Sequence, residues 1–310
     1  MTERPSASVS EGWVTLPTGA RVHYRRAGDG EPVVLLHGIA HSCRAWDRVL
    51  VPLAEHHDVV ALDLPGCGLS DKPDTDYSLG SQAVAVRMVL DALGLDVVTA
   101  VGHSLGGGVA MTLSYHYPER VGRLALVASG GLGKELHPIF RMATLPLVPE
   151  RVMRGLFHPV ARMPRNAMSA LVTRATGDPF FFRPDAYRAE LEELLETMED
   201  PQAQRAFLSM LRSASSIAGQ AVSALDRLSL ASFPMLIVWG RDDGVFPVQH
   251  ALRAKQLVTQ ARLVVLDECG HFPQFEATAQ FNQALLDWLA ETESSPVDTQ
   301  AFIAAATASA

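Results

Sequence analysis

The chain predicts an α/β fold: a mostly parallel sheet with helices on both faces, interrupted by one helical insertion. Three observations predict it. Short apolar runs of buried-strand length take turns with segments of helical spacing up to Ala128, and resume from Pro234. Between them, Gly131 to Ser232 holds no such run, and about a hundred residues is far too long for an ordinary connection. Finally, the apolar run Asp96 to Val101 leads into Gly102-His103-Ser104-Leu105-Gly106 and then a small-residue helix, the pattern of a tight strand-to-helix turn.

In chain order, Thr15 to Arg25 reads as a hairpin-like pair around Pro17-Thr18-Gly19. Pro32 to Leu36 is a buried strand, Ala45 to Glu55 a helix, and Val59 to Leu62 the next strand, closed by Asp63-Leu64-Pro65-Gly66. Gly80 to Leu93 has helical spacing and stops at Gly94. The strand before Gly102 is followed by a helix from Leu105 to Tyr117 and a strand from Arg123 to Ala128. Within the insertion, Tyr187 to Met198 carries Leu191, Leu194 and Leu195 on one helical face. Strands return at Pro234 to Trp239 and Arg262 to Leu266, and a last helix spans Ala279 to Leu289. The pair and the six buried runs make an eight-stranded sheet. The expected domains are a core over 12–133 and 233–290 and a helical cap over 134–232, with disordered extensions at 1–11 and 291–310.

Composition excludes several classes of function. A net charge of −8 with no dense Lys/Arg block argues against nucleic acid as a partner. The three cysteines, Cys43, Cys67 and Cys269, are widely spaced, which predicts free thiols rather than a disulfide framework or a zinc site. The N-terminus has no apolar signal core and no stretch is long enough to span a bilayer, so a cytoplasmic protein acting on a small-molecule substrate is expected. No Gly-rich dinucleotide fingerprint or metal-ligand cluster appears, so neither cofactor nor metal is expected. The oligomeric state stays open, a homodimer included.

A serine hydroxyl becomes a nucleophile only when a base takes its proton and a third group fixes that base. Ser104 sits in the strand-to-helix turn, His271 in Gly270-His271-Phe272 after the last strand, and Asp243 in Gly240-Arg241-Asp242-Asp243 after the strand before it. Loops at the carboxyl ends of parallel strands converge on one edge of the sheet, so the three are expected to meet. Asp242 remains the alternative carboxylate.

On four motifs, His37-Gly38, Gly102 to Gly106, Gly240 to Pro247 and Gly270-His271, residues 12–290 resemble the α/β-hydrolase superfamily. The resemblance implies the α/β-hydrolase fold with a cap, a Ser104–His271–Asp243 triad, and an oxyanion hole from the backbone N–H groups of Ile39 and Leu105. It implies a loop-fixing role for Asp63. A serine at the turn disfavours the related haloalkane dehalogenases and epoxide hydrolases, which place an aspartate there.

Two activities compete. One is hydrolysis of a small, fairly apolar ester or lactone through an acyl-enzyme. The other is carbon–carbon bond hydrolysis of the meta-cleavage-product type, which Ser129-Gly130-Gly131-Leu132-Gly133 and the cap size resemble, with Arg188 and Phe272 as candidate substrate contacts. That family usually has Asn where this chain has His103, Trp where it has Phe272, and a Gly-rich loop where it has Ile39-Ala40-His41-Ser42. These departures turn the reading toward an ester. A third class, a slow hydrolase used as a ligand receptor, stays open.

Overall fold

The computed structural model describes residues 8–145, 197–223, 225–229, 231–297 and 300. Its strands are β1 Ser10–Thr15, β2 Arg21–Ala27, β3 Glu31–Leu36, β4 His57–Leu62, β5 Val98–His103, β6 Val121–Val127, the two-residue β7 Ser215–Ser216 and β8 Gly219–Gln220, β9 Met235–Gly240 and β10 Arg262–Leu266. Its described α-helices are α1 Asp47–Leu53, α2 Leu79–Ala92, α3 Leu105–His116, α4 Pro138–Ala143, α5 Pro201–Ala214, α6 Leu225–Leu228, α7 Gln249–Leu257, α8 Pro273–Glu276 and α9 Thr278–Glu291.

Eight strands form one sheet in the order β1-β2-β4-β3-β5-β6-β9-β10, and β7 pairs with β8 as a separate small hairpin. β2 runs antiparallel to both its neighbours, while every pairing from β4 to β10 is parallel. The α/β-hydrolase fold expected from the sequence is thus present.

The two-residue period of a strand explains the two cores. In β3, Val34 and Leu36 join one core with Val86 and Val89 of α2 and Val109 and Leu113 of α3. Val33 and Leu35 join the other, with Val49 and Leu50 of α1 and Phe281 and Leu285 of α9. A strand buried on both faces reads as an unbroken apolar run, which is why these strands were legible.

Three boundaries differ from the sequence expectation. β1 starts at Ser10, inside the stretch expected to be a disordered extension, and pairs with β2 from Ser10↔Arg26 to Thr15↔Arg21. It is an edge strand in which only Val14 is buried, so it offers no apolar run to detect. The helix expected from Ala45 is divided into a 3₁₀ turn, Cys43–Trp46, and α1. At the other end, α9 runs on to Glu291 and residues 292–297 pack onto the core rather than leaving it. Ser295 N–H donates to Gly122 O at 3.0 Å, buried Arg123 reaches the Thr292 hydroxyl at 3.1 Å, and Val297 is buried. Hydrogen bonds rather than apolar periodicity fix that segment.

Of the insertion, α4, α5, the β7–β8 hairpin and α6 are described. The Asp200 carboxylate caps α5 by accepting from Gln202 N–H at 2.8 Å, with Pro201 in the first turn. Its buried Ala203, Phe207, Leu208 and Leu211 pack with Met198 and Ala40, which sets α5 over the loop after β3. No described helix is long and apolar enough to cross a membrane.

Candidate active site

β5 ends at His103 and α3 begins at Leu105, so Ser104 alone makes the turn, with φ 53° and ψ −115°. A side chain at positive φ is strained, by roughly 1–3 kcal/mol, and persists only where its surroundings fix it. Here Ser104 N–H donates to Val127 O at 3.0 Å, and Ser104 O accepts from Gly130 at 3.0 Å and Gly107 at 3.1 Å. Gly102 and Gly106 are required by close approach. A Cβ on Gly102 would run into the Gly106 carbonyl, and one on Gly106 into that of Leu36.

Three loops at the carboxyl edge of the sheet bring Ser104, His271 and Asp243 into one hydrogen-bonded chain. His271 Nε2 lies 3.1 Å from Ser104 Oγ, and His271 Nδ1 lies 2.9 Å from Asp243 Oδ2. Asp243 Oδ1 accepts from Val245 N–H at 2.8 Å and Phe246 N–H at 2.9 Å. That leaves Oδ2 for the imidazole, so Nδ1 carries the proton and Nε2 accepts from the serine. All three groups are buried. Asp243, not Asp242, is the carboxylate bonded to His271; Asp242 holds the loop through its N–H to Cys269 O at 2.9 Å. Such a chain can draw the proton from Oγ as the oxygen attacks and stabilise the imidazolium that forms.

The loop after β3 passes on the other side of Ser104. His37 is buried, its Nδ1 2.7 Å from Gly38 O and its Nε2 accepting from Leu64 N–H at 3.0 Å, so it is neutral and fixed. Burial pushes its pKa down, the nearby Asp63 opposing only in part. A Cβ on Gly38 would sit 3.2 Å from Ser104 Cβ and 2.9 Å from His103 Nδ1, which shows how closely this loop approaches. Ile39 follows directly, packed between the main core and the α5 cluster. Leu105 is the first residue of α3, where a helix leaves N–H groups without intrahelical acceptors. Of the two candidate oxyanion donors, Leu105 thus follows Ser104 directly and Ile39 follows the glycine that approaches it.

The surroundings are aromatic. Phe272 has its ring 5.1 Å from His271, 5.2 Å from His103 and 5.3 Å from His41, and Phe246 lies 5.4 Å from His271 on another side. Desolvation, with the His37 and His271 rings nearby, holds His41 at a pKa of about 3, so it stands as a neutral group. Arg188, one of the two candidate substrate contacts, lies outside the described residues.

Sequence reasoning missed two supporting side chains. Glu276 accepts from Gly270 N–H at 2.9 Å and Phe272 N–H at 3.0 Å, one on each carboxylate oxygen. Gln220 accepts from Gly131 N–H at 2.6 Å and ties the β7–β8 hairpin to the segment after β6. The Pro273 start of α8 three residues before Glu276 was a usable signal, since it places the carboxylate in the first turn below His271. Gln220 offered none.

Among the described residues, His23, Cys43 and Asp63 form a group close enough to share a metal ion. Its members are already committed to one another. Asp63 accepts from His23 Nδ1 at 2.9 Å, Cys43 N–H at 2.6 Å and Leu69 N–H at 2.8 Å. This is the loop-fixing role expected of Asp63, and the donor set does not fit an ion.

Residues 31–278 match the family model of the alpha/beta hydrolase fold. An uncharacterised protein of Mycobacterium tuberculosis is 36% identical over 287 residues, covering 92% of this chain and 82% of that one. A 2-hydroxy-6-oxo-6-phenylhexa-2,4-dienoate hydrolase of Comamonas testosteroni is 31% identical, covering 86% of this chain and 91% of the relative. The solved structure of the enzyme of that name from Rhodococcus sp. strain RHA1 superposes with a TM-score of 0.72 at 27% identity, over 92% of this chain and 99% of that one. With the sheet order, the turn at Ser104 and this match over most of its length, the chain belongs to the α/β-hydrolase-fold family.

Proposed function

We propose that the protein is a serine hydrolase that cleaves a small, fairly apolar carboxylic ester or lactone through an acyl-enzyme. Ser104 is the nucleophile, His271 the general base and then acid, and Asp243 the group that orients it. The observation that carries this reading is the unbroken chain from Ser104 Oγ through His271 to Asp243, at 3.1 and 2.9 Å. The N–H groups of Ile39 and Leu105 receive the oxyanion, a contribution worth about 3 kcal/mol per donor in comparable sites. Attack by Oγ forms the tetrahedral intermediate, and the proton passes to Nε2. Collapse transfers that proton to the leaving oxygen, and water then repeats the cycle on the acyl-enzyme.

An ester is favoured by what surrounds the serine. Phe272, Phe246 and Ile39 are apolar, and His41 and His103 are histidines kept neutral by burial. The second reading, carbon–carbon bond hydrolysis of a dienoate, is supported by the names of the Comamonas and Rhodococcus relatives.

The two separate in one assay. The protein is offered p-nitrophenyl acetate, a γ-lactone and 2-hydroxy-6-oxo-6-phenylhexa-2,4-dienoate. Ester or lactone turnover with the dienoate chromophore intact is expected. Bleaching of the dienoate faster than either ester overturns the ester reading. Turnover of none of the three, with tight binding of a small ligand, turns the reading to a receptor.

A further inference from the structure

His271 meets the end of β5 and the turn after it at two points, through its ring on Ser104 and through its backbone carbonyl on His103. The backbone carbonyl of His271 accepts from Nε2–H of His103, the residue before the nucleophile, at 2.8 Å. The N–H groups on either side of His271, those of Gly270 and Phe272, are taken by the two oxygens of Glu276 at 2.9 and 3.0 Å. The loop therefore has its donors fixed from below, through α8, and its carbonyl fixed from the side, through β5.

We infer that His103 is a positioning residue for the base: it ties the backbone of residue 271 to the turn that carries the nucleophile and so sets the distance between Nε2 and Oγ. This rests on the roles proposed above for Ser104 and His271. The geometry has a clear logic. The turn and the base loop are 167 residues apart in sequence and come from strands that are not neighbours in the sheet, since β6 and β9 lie between β5 and β10. No ladder hydrogen bond links them directly, and the His103 side chain makes a direct bridge. His103 is buried, with its ring 5.0 Å from that of His271, and Phe272 packs against both. The charged and titratable groups facing it are His271, His41 and His37, and burial among them keeps it neutral. It thus donates its single Nε2 proton to the carbonyl and adds no charge beside the base. The residue before the nucleophile, one of the points at which this chain departs from the carbon–carbon hydrolases, acquires a task in this chain.

The test compares His103→Phe, which keeps a ring without the donor, with His103→Gln, whose amide N–H₂ can reach the same carbonyl. The active fraction of each is first titrated with diisopropyl fluorophosphate, and kcat for p-nitrophenyl acetate is expressed per labelled site. A catalytic distance altered on the ångström scale costs on the order of 10²-fold. The expected result is a fall in kcat of that size for the Phe variant with KM little changed, a displaced midpoint in its pH–rate profile, and recovery to within a few-fold in the Gln variant. Wild-type turnover per site and an unmoved midpoint in both variants overturn the inference. So does equal loss in both, because the donor is then not what matters. Absence of label on Ser104 in the wild type is a different failure, that of the proposed nucleophile itself.

Discussion

Among the described residues two buried His–Asp pairs share one geometry, and one of them has a serine at its far end. In each, an imidazole Nδ1 lies 2.9 Å from an aspartate Oδ2: His271 with Asp243, and His23 with Asp63. Each carboxylate is also held by two backbone N–H groups, from Val245 and Phe246 in one case and from Cys43 and Leu69 in the other. They differ at Nε2. In His271 it meets Ser104 Oγ at 3.1 Å, on a turn between β5 and the start of α3; in His23 it faces Glu11 at 3.8 Å, with the Trp13 ring tilted against it at 5.0 Å. The pair is therefore a device for holding separate segments in register, and in the proposed mechanism the chemistry comes from the strained serine and the N–H groups around it. His23–Asp63 ties β2 to the loops after β3 and β4, at the antiparallel side of the sheet.

Neutralising each aspartate should separate the two roles. Asp243→Asn lets the imidazole settle in the wrong tautomer and is expected to lower kcat by about 10⁴, with the denaturation midpoint little changed. Asp63→Asn is expected to do the reverse. Loss of a buried charged acceptor serving three donors costs on the order of 2–4 kcal/mol of stability, read by urea denaturation, while kcat per labelled site stays near wild type. If Asp63→Asn removes activity per site as Asp243→Asn does, the contrast between the pairs is wrong.

A smaller effect is set by pH. Burial raises the pKa of Asp63, but hydrogen bonds from His23 and from the N–H groups of Cys43 and Leu69 outweigh it and hold the carboxyl below its usual 3.8. The unfolded chain therefore takes up that proton first, and stability present above about pH 4 is lost as acid approaches the folded value. His37 and His103 have folded pKa values below 6.5, chiefly through burial, so the unfolded chain is the first to gain those protons too. Their contribution is full above pH 6.5 and declines as the pH falls. Urea midpoints measured across pH 8 to 3 should fall in two stages, and Asp63→Asn should flatten only the lower one.

The catalytic candidates were legible because short motifs carry them. Ser104 stands between glycines that close approach demands, and Asp243 and His271 follow unbroken apolar strands whose ends must converge. The partners that hold these residues were not legible in the same way. His103 finds the carbonyl of His271, and His23 finds Asp63, across strand pairings that only the sheet order brings together. The start of β1 at Ser10 was not legible, because an edge strand with one buried residue has no apolar signature. Residues 292–297 escaped because their anchor is Arg123, a charged side chain buried in β6 between Glu31 and the Thr292 hydroxyl. Buried polar contacts are set by the assembled fold, and a pattern of apolar spacing does not record them.

In the proposed mechanism Ser104, activated through His271 and Asp243, is the nucleophile. Intact-mass spectrometry after exposure to diisopropyl fluorophosphate tests it most directly, with the modified peptide identified by fragmentation. The expected result is one diisopropylphosphoryl group on Ser104 in the wild type, much slower labelling of Asp243→Asn, and none of Ser104→Ala. An unmodified wild type, or a Ser104→Ala protein labelled as fast as wild type at another residue, would contradict it.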